Sequence, residues 1–254
     1  MECYTSFLAL GDIHGCVECL KRIRRDVASE NIEFVVSVGD FVSLRSNDVY
    51  EELEVLEGIF EELNAFGTKV FFVWGNRDIE LIDYVLLNGR DRDRRKLKSI
   101  VDYVLKSKNL HELGLGERVE INQFLRITCD PALIDEQTIF VSHYAKKVIT
   151  NALIHLEGHV HYGQIAARYL NLGFVYRDDL HGARTLLGLY WVITVERNEY
   201  VITFRTLGED LKIIVCPLHS MEGVFIVPKH WKRCPVCYDP TKARFSSYSS
   251  RFEL

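Results

Sequence analysis

Ser6-Phe7-Leu8-Ala9-Leu10-Gly11-Asp12-Ile13-His14-Gly15 is the stretch on which the fold of this chain turns. Residues 6–10 read as a strand, and a turn carrying two potential metal donors follows at its carboxyl end. Beyond that turn, Val17, Leu20, Ile23 and Val27 share one helical stripe, with Lys21, Arg22, Arg24 and Arg25 mostly off it. Cys16 and Cys19 fall on or near that stripe, at a helix N-terminus that would lower a thiol pKa, and are read as core. Residues 33–38 form a second strand. Residues 47–63 form a second helix, with Val49, Leu53, Leu56, Ile59, Phe60 and Leu63 at helical spacing, and residues 69–74 a third strand. Strands and helices in alternation, with turn residues at each strand's carboxyl end, predict an α/β layered arrangement. Residues 79–110 look helical, broken at 88–93, and the mixed-sign run 90–98 is read as an exposed helix start or a substrate grasp. Further strands are expected at 119–127, 138–142, 165–169, 186–195 and 200–207, the last two joined by a hairpin turn at Asn198.

The polar residues that interrupt this pattern are of one kind. Gly11-Asp12-Ile13-His14-Gly15 follows the first strand, Gly39-Asp40 the second and Gly75-Asn76-Arg77-Asp78 the third. Ser142-His143 follows a later strand, and Gly158-His159-Val160-His161 closes the series. In open α/β sheets, ligand sites form beyond the carboxyl ends of strands. Asp, Asn and His donors brought to one sheet edge suit a hard-to-borderline cation. Residues i and i+2 of an extended backbone point the same way, so Asp12/His14 and His159/His161 can each aim two side chains into one cavity. Glycine lets the chain turn sharply beside such a centre. Any one block has an ordinary explanation as a helix cap or a packed histidine; the seven donors in order are hard to explain that way.

The ordered blocks GDIHG, GD, GNRD, SH and GHVH resemble those of the calcineurin-like metallophosphoesterase superfamily, over about residues 5–195. The resemblance implies an α/β fold, a two-sheet αββα sandwich. It also implies two divalent ions (Mn, Fe or Zn) bridged by Asp40, with Asp12, His14 and His161 completing one shell and Asn76, His143 and His159 the other. The implied reaction is phosphoester hydrolysis, water or hydroxide between the ions attacking phosphorus in line. Diesters are favoured over monoesters.

Arg77 stands where many relatives carry a His credited with stabilising the transition state or protonating the leaving oxygen. Arginine, with a pKa above about 12, cannot do the second, but its planar fork can clamp a phosphoryl oxygen. Asp78 matches the acid that orients that His, so Arg77, Asp40 and Asp78 are the catalytic candidates. Esters with acidic leaving groups are therefore expected to react better than alkyl or sugar esters, unless His181 or another group supplies the proton. Asn171-Leu172-Gly173-Phe174 occupies the place of an Asn-Pro-Gly-Ser turn that supports the site from below in many relatives. The 15 residues between His143 and His159 leave little room for the helix often found there. Arg45, five residues after Asp40, could reach a phosphate as an arginine does in the related protein phosphatases. The reading from another class is a catalytically silent adaptor of the same fold.

Composition changes near Gly208: four of the five prolines and three of the seven cysteines lie beyond residue 210. The division expected is 1–208 as the metallophosphoesterase domain, 209–245 as a zinc-ribbon-like annex and 246–254 as a tail. Cys216-Pro217-Leu218-His219 and Cys234-Pro235-Val236-Cys237, with 14 residues between them, have the spacing of a closed tetrahedral zinc site formed by Cys216, His219, Cys234 and Cys237. Buried thiols and a redox pair are the alternatives. A metal would supply folding free energy to a segment with little core of its own. Lys229, His230, Trp231, Lys232 and Arg233 give a basic-aromatic tip that suits a nucleic-acid or protein contact, or a solvated loop.

With 254 residues, 48 % hydrophobic and 26 % charged, the chain has the balance of a folded protein rather than a disordered or collagen-like one. Its net charge of −5 gives no general attraction to nucleic acid. No window approaches the ~18 apolar residues of a membrane span, and no membrane association is expected. The opening MECYTSFLALGD reads as neither signal nor anchor, which points to a cytoplasmic protein.

Overall fold

The computed structural model describes residues 4–175, 188–197, 199–208 and 211–245. Strand β1 (Tyr4–Leu10) is central to the first sheet. It pairs in parallel with β2 (Phe34–Ser37), which pairs with β3 (Lys69–Phe72), which pairs with β4 (Leu110–Glu112). On its other side β1 runs antiparallel to β11 (Leu189–Glu196), and β11 to β12 (Glu199–Thr206). The helices are α1 (Val17–Asp26), α2 (Val49–Asn64), α3 (Asn76–Asn88) and α4 (Asp91–Lys106).

Period-two alternation in β1 decides the layering. Leu8 and Leu10 join Val35, Val70 and Phe72 against Leu20, Ile23, Leu53, Leu56 and Phe60 of the helices. Phe7 and Ala9 face the opposite way, with Phe34, Val36 and Phe71, onto Ile127, Ile139, Val141 and Leu156 of a second sheet. Two apolar layers thus lie either side of the first sheet, the arrangement expected of helices on sheet on sheet.

The second sheet has eight strands, in the order β13 (Leu211–Val215), β14 (Val224–Pro228), β9 (Gly163–Ala166), β10 (Tyr169–Leu172), β8 (Ile154–Glu157), β7 (Thr138–Ser142), β6 (Leu125–Thr128) and β5 (Val119–Asn122). Its far face is polar but buried: His155, Glu157, Gln164 and Asn171 are fully covered. The chain from Cys216 onward lies over that side, where Tyr162, Phe225, Val227, Val236 and Ala243 form a small third core beside the helical turn α5 (Pro235–Tyr238).

The strand expected at 119–127 is the hairpin β5–β6, turned where Phe124 N donates to Asn122 Oδ1 at 2.8 Å. The strand expected at 165–169 is likewise two, β9 and β10, turned at Ala167 with φ 46°. Strands β4, β8, β13 and β14 were not expected. The β11–β12 hairpin is present, with Asn198 outside the described residues, as are His181 and residues 246–254. Beyond Gly208 the chain rejoins the second sheet, Val224 pairing with Ile165 and Ile213 with Ile226. Among the described residues no helix lies between Ser142 and Ile154, as the short spacing there required.

Candidate metal centre

Five strands end at one edge of the two sheets, and each passes a donor to the same place. Asp12 and His14 follow β1, Asp40 follows β2, and Asn76 opens α3 after β3. His143 follows β7; His159 and His161 follow β8. The turns are tight enough that His14, Asp40, His159 and His161 all take positive φ, 48°, 51°, 71° and 56°. Such left-handed backbone is costly for residues with a Cβ and persists where surrounding structure enforces it.

The glycines do the enforcing by allowing backbone to touch backbone. A Cβ on Gly11 would sit 2.4 Å from Gly173 O, and one on Gly39 would sit 2.2 Å from Gly75 N. Beneath the site, Gly173 O accepts from Asp12 N at 3.1 Å, and Val175 N donates to Asp12 O at 2.7 Å. Buried Asn171 fixes that support, its Nδ2 donating to Gly158 O at 2.7 Å and its Oδ1 accepting from Gly173 N at 3.0 Å. The Asn-Leu-Gly-Phe turn therefore holds the site from below without a proline.

The donors form two adjoining groups. Ligand atoms of Asp12, His14, Asp40 and His161 all lie within 4.8 Å of one another, and the first three residues are buried. Asn76 Oδ1 lies 2.9 Å from both His143 Nε2 and His159 Nδ1, on the more exposed side. His143 Nε2 is 3.5 Å from Asp40 Oδ1, so Asp40 touches both groups.

Proton placement sharpens the picture. His143 Nδ1 donates to Val38 O at 2.8 Å, which leaves a lone pair on Nε2 facing the oxygens of Asn76 and Asp40. His14 Nδ1 is oriented by Val42 O at 3.3 Å, so its Nε2 lone pair faces His161 Nε2 at 3.0 Å. Asp12 Oδ2 is buried without a hydrogen-bond partner, with His161 Nε2 at 3.2 Å. Acceptors converging on acceptors repel unless a cation lies among them, and this donor set fits divalent ions.

Electrostatics agree. Burial acts to raise the Asp12 pKa, but the electrostatic influence of His161, His143 and His14 around it outweighs burial and holds the carboxyl below its usual value. Burial lowers the pKa of His14 and of His159, a shift toward the neutral imidazole that ligates metals.

Asp78 is fully buried and touches no reacting position: Oδ1 accepts from Phe41 N at 2.8 Å and Val42 N at 3.2 Å, and Oδ2 from Gly75 N at 2.9 Å. Burial pushes it up to about 7. Arg77 N donates to Asp40 Oδ1 at 2.9 Å, while its exposed guanidinium pairs with Glu80 at 3.1 Å. Arg45 N donates to Glu52 Oε1 at 2.7 Å. Arg90 and Arg92, from the run read as a possible grasp, pair with Asp48 at the N-terminus of α2. Cys19 is core as expected, but the structure joins Cys16 and Cys19 by a disulfide across the first turn of α1, which the sequence reading had not assigned.

A second donor cluster lies in the annex. His219 Nδ1 is 3.5 Å from Cys216 Sγ, 3.4 Å from Cys234 Sγ and 3.5 Å from Cys237 Sγ, and the sulfurs of Cys216 and Cys237 are 3.7 Å apart. A tetrahedral zinc with Zn–S of about 2.3 Å puts its sulfurs about 3.8 Å apart, so the residues fit that ion. For Cys216, burial is outweighed by hydrogen bonds from His219 and Cys234, which lower it to about 7; burial drives Cys234 up to about 12.

Sequence reading missed the residues that brace β8. Glu157 accepts from Ala145 N at 2.6 Å and Tyr169 OH at 2.5 Å, and pairs with Arg244 Nη2 at 3.0 Å. Their sequence separation hid them.

No curated protein matches the chain. Among solved structures, TT1561 of Thermus thermophilus is 11 % identical, aligning 79 % of this chain with 99 % of that one at a TM-score of 0.51. An archaeal phosphodiesterase is 17 % identical, with 79 % and 100 % covered at a TM-score of 0.45. The phosphoesterase Yfce from E. coli is 18 % identical, with 80 % and 100 % covered at 0.41. The model of one family, calcineurin-like phosphoesterase, matches residues 5–167, which takes in all seven converging donors. On that match, spanning well over half its length, the chain belongs to the calcineurin-like phosphoesterases, hydrolases of phosphoester bonds.

Proposed function

We propose that the chain hydrolyses phosphodiesters of acidic leaving groups, with two divalent cations held by the seven converging donors. Asp12, His14 and His161 would hold one, Asn76, His143 and His159 the other, and Asp40 would serve both. The observation that carries this is the set of facing lone pairs on His143 Nε2, Asn76 Oδ1 and Asp40 Oδ1, with the histidine nitrogen 2.9 Å and 3.5 Å from the two oxygens. Bound cations would supply Lewis acidity, activating water and neutralising charge on the phosphoryl oxygens.

The chain's own residues do the rest. Asp78 is a positioning residue: by gathering the N–H groups of Phe41, Val42 and Gly75 it ties the Asp40 loop to the start of α3. The helix presents its N-terminus to the site, where the positive end of its dipole favours an anionic substrate. Arg77, one residue past Asn76, is the group to exchange its surface partner Glu80 for a phosphoryl oxygen. No group of the His type follows Asn76, which is why acidic leaving groups are favoured. The Cys216, His219, Cys234 and Cys237 cluster would hold one zinc with a purely structural role.

The test is hydrolysis of bis(p-nitrophenyl) phosphate after Mn²⁺ addition, with metal content measured on the same samples. Wild type is expected to be active. Asp40→Asn should lose roughly a hundredfold or more while keeping its zinc, and Cys234→Ser should lose the zinc. Inactivity of wild type with manganese bound would favour the adaptor reading.

A further inference from the structure

The annex does not end at its cysteine cluster. It comes back to the metal centre, and a cavity of about 410 Å³ separates the two. His159, His161 and Tyr144 line one side; Trp231, Lys242 and Arg244 line the other. That volume is in the range of small-ligand pockets, roughly 300–1,000 Å³. It takes in one histidine from each donor group, His159 and His161, so an ester bound at the metals would project its substituent there.

The annex wall has a chemical character. Arg244 is committed to Glu157 at 3.0 Å and stacks over the Tyr144 ring at 4.9 Å, so it anchors the wall. Asp239 at the rim is committed too, its Oδ1 accepting from Thr241 N at 3.0 Å and Thr241 Oγ1 at 2.6 Å. Lys242 takes part in no salt bridge among the described residues, lying 6.0 Å over the Tyr162 ring. Trp231 is the residue of the basic-aromatic tip that lines the cavity; it is half-buried and packs its ring against Tyr238, whereas Lys229, His230, Lys232 and Arg233 are exposed.

Resting on the phosphoesterase reading above, we propose that the annex is the specificity wall of the active site. Trp231 stacks on a flat aromatic group of the substrate and Lys242 pairs with a second negative charge, so that the site selects a nucleotide-type ester carrying a further phosphate. Stacking of a base on an aromatic side chain is strong enough to discriminate by about tenfold or more. A lysine facing a phosphate in a cleft adds a contribution that salt screens.

Three esters that all release p-nitrophenolate hold the leaving group constant: methyl p-nitrophenyl phosphate, thymidine 5′-(p-nitrophenyl phosphate) and its 3′-phosphorylated form. Wild type should rank them in rising kcat/KM. Trp231→Ala should cut the thymidine-to-methyl ratio about tenfold, and Trp231→Phe should restore most of it. Lys242→Gln should remove the advantage of the 3′-phosphate alone. Calorimetric binding of thymidine 3′,5′-bisphosphate should weaken in parallel, which reads recognition without turnover. Unchanged ratios in Trp231→Ala and Lys242→Gln would overturn the proposal, as would an equal loss on all three esters in variants that keep their zinc. Failure of wild type to hydrolyse any of the three sinks the phosphoesterase reading instead, and the binding measurement then decides the wall on its own.

Discussion

Ile149 N donates to His155 Nδ1 at 3.2 Å, so that imidazole carries its proton on Nε2, 2.9 Å from Ser142 Oγ. The ring is wholly buried between Phe140 and Tyr169. Burial, with a smaller push from the Arg244 charge, lowers its pKa to about 3. An unfolded chain would protonate it near its ordinary value of about 6.5. Between those two values the unfolded state binds the extra proton, so the native state loses stability as pH falls. The expected loss is about 2 kcal/mol between about pH 6.5 and about pH 4.5, read from denaturant unfolding at the two pH values. His155→Asn, which can still accept from Ile149, should lack that increment; an equal loss in both proteins would place the acid sensitivity elsewhere. His155 also marks what could be read from the sequence at this scale. The seven donors were legible because each sits within two residues of a glycine or a strand end, as a polar break in an apolar pattern. His155 and Glu157 sit inside a strand, where alternate polar residues normally signal solvent, and nothing local says that a later segment covers them.

Gly39 shows how loops rather than strands hold the centre's shape. Its φ is +93°, and an added Cβ would meet Gly75 N at 2.2 Å, so neither conformation nor space admits a side chain. Gly39→Ala should therefore destabilise the fold by about 3 kcal/mol or more, the sum of left-handed strain and a backbone displacement. Gly67→Ala makes the control: its φ is +73° but nothing lies within 4 Å, so only the conformational cost of about 1 kcal/mol applies. Similar losses in the two variants, by chemical denaturation, would mean that the contact between the loops after β2 and β3 matters less than the geometry demands. The same contrast explains which elements could be foreseen. Strands β1, β2, β3 and β7 are apolar runs closed by turn residues, and α1, α2 and α4 carry apolar stripes, so period alone identifies them. The paired strands β5–β6 and β9–β10 merged in the sequence because their turns, at residues 122–124 and at Ala167, contain neither Gly nor Pro. β13 and β14 were obscured by proline and cysteine, residues that signal a zinc knuckle more strongly than a strand.

At the scale of the molecule, one buried ion pair ties the metal centre to the far end of the described chain. Arg244 and Glu157 are separated by 87 positions, yet their side chains are 6 % and 0 % exposed and lie 3.0 Å apart. Glu157 closes β8, the strand that delivers His159 and His161, and Arg244 closes the segment that carries the cysteine cluster and the cavity wall. Arg244 Nη2 also donates to Ala145 O at 2.7 Å, and the backbone N–H groups of Arg244 and Phe245 donate to Glu222 at 2.7 Å and 3.0 Å. The annex is thus locked onto the second sheet by charges that water does not reach. Removing one partner of such a pair leaves an uncompensated charge, at a cost of about 3–5 kcal/mol, whereas replacing both can be nearly neutral. Arg244→Met should accordingly lower stability by about that amount, measured by denaturant unfolding with zinc present. Adding Glu157→Gln should recover a substantial part of it, because the amide can still bond Ala145 N and Tyr169 without carrying charge. Two losses that simply add would show that the residues act independently; recovery in the double variant would mean that the two charges are coupled across the junction of annex and phosphoesterase fold.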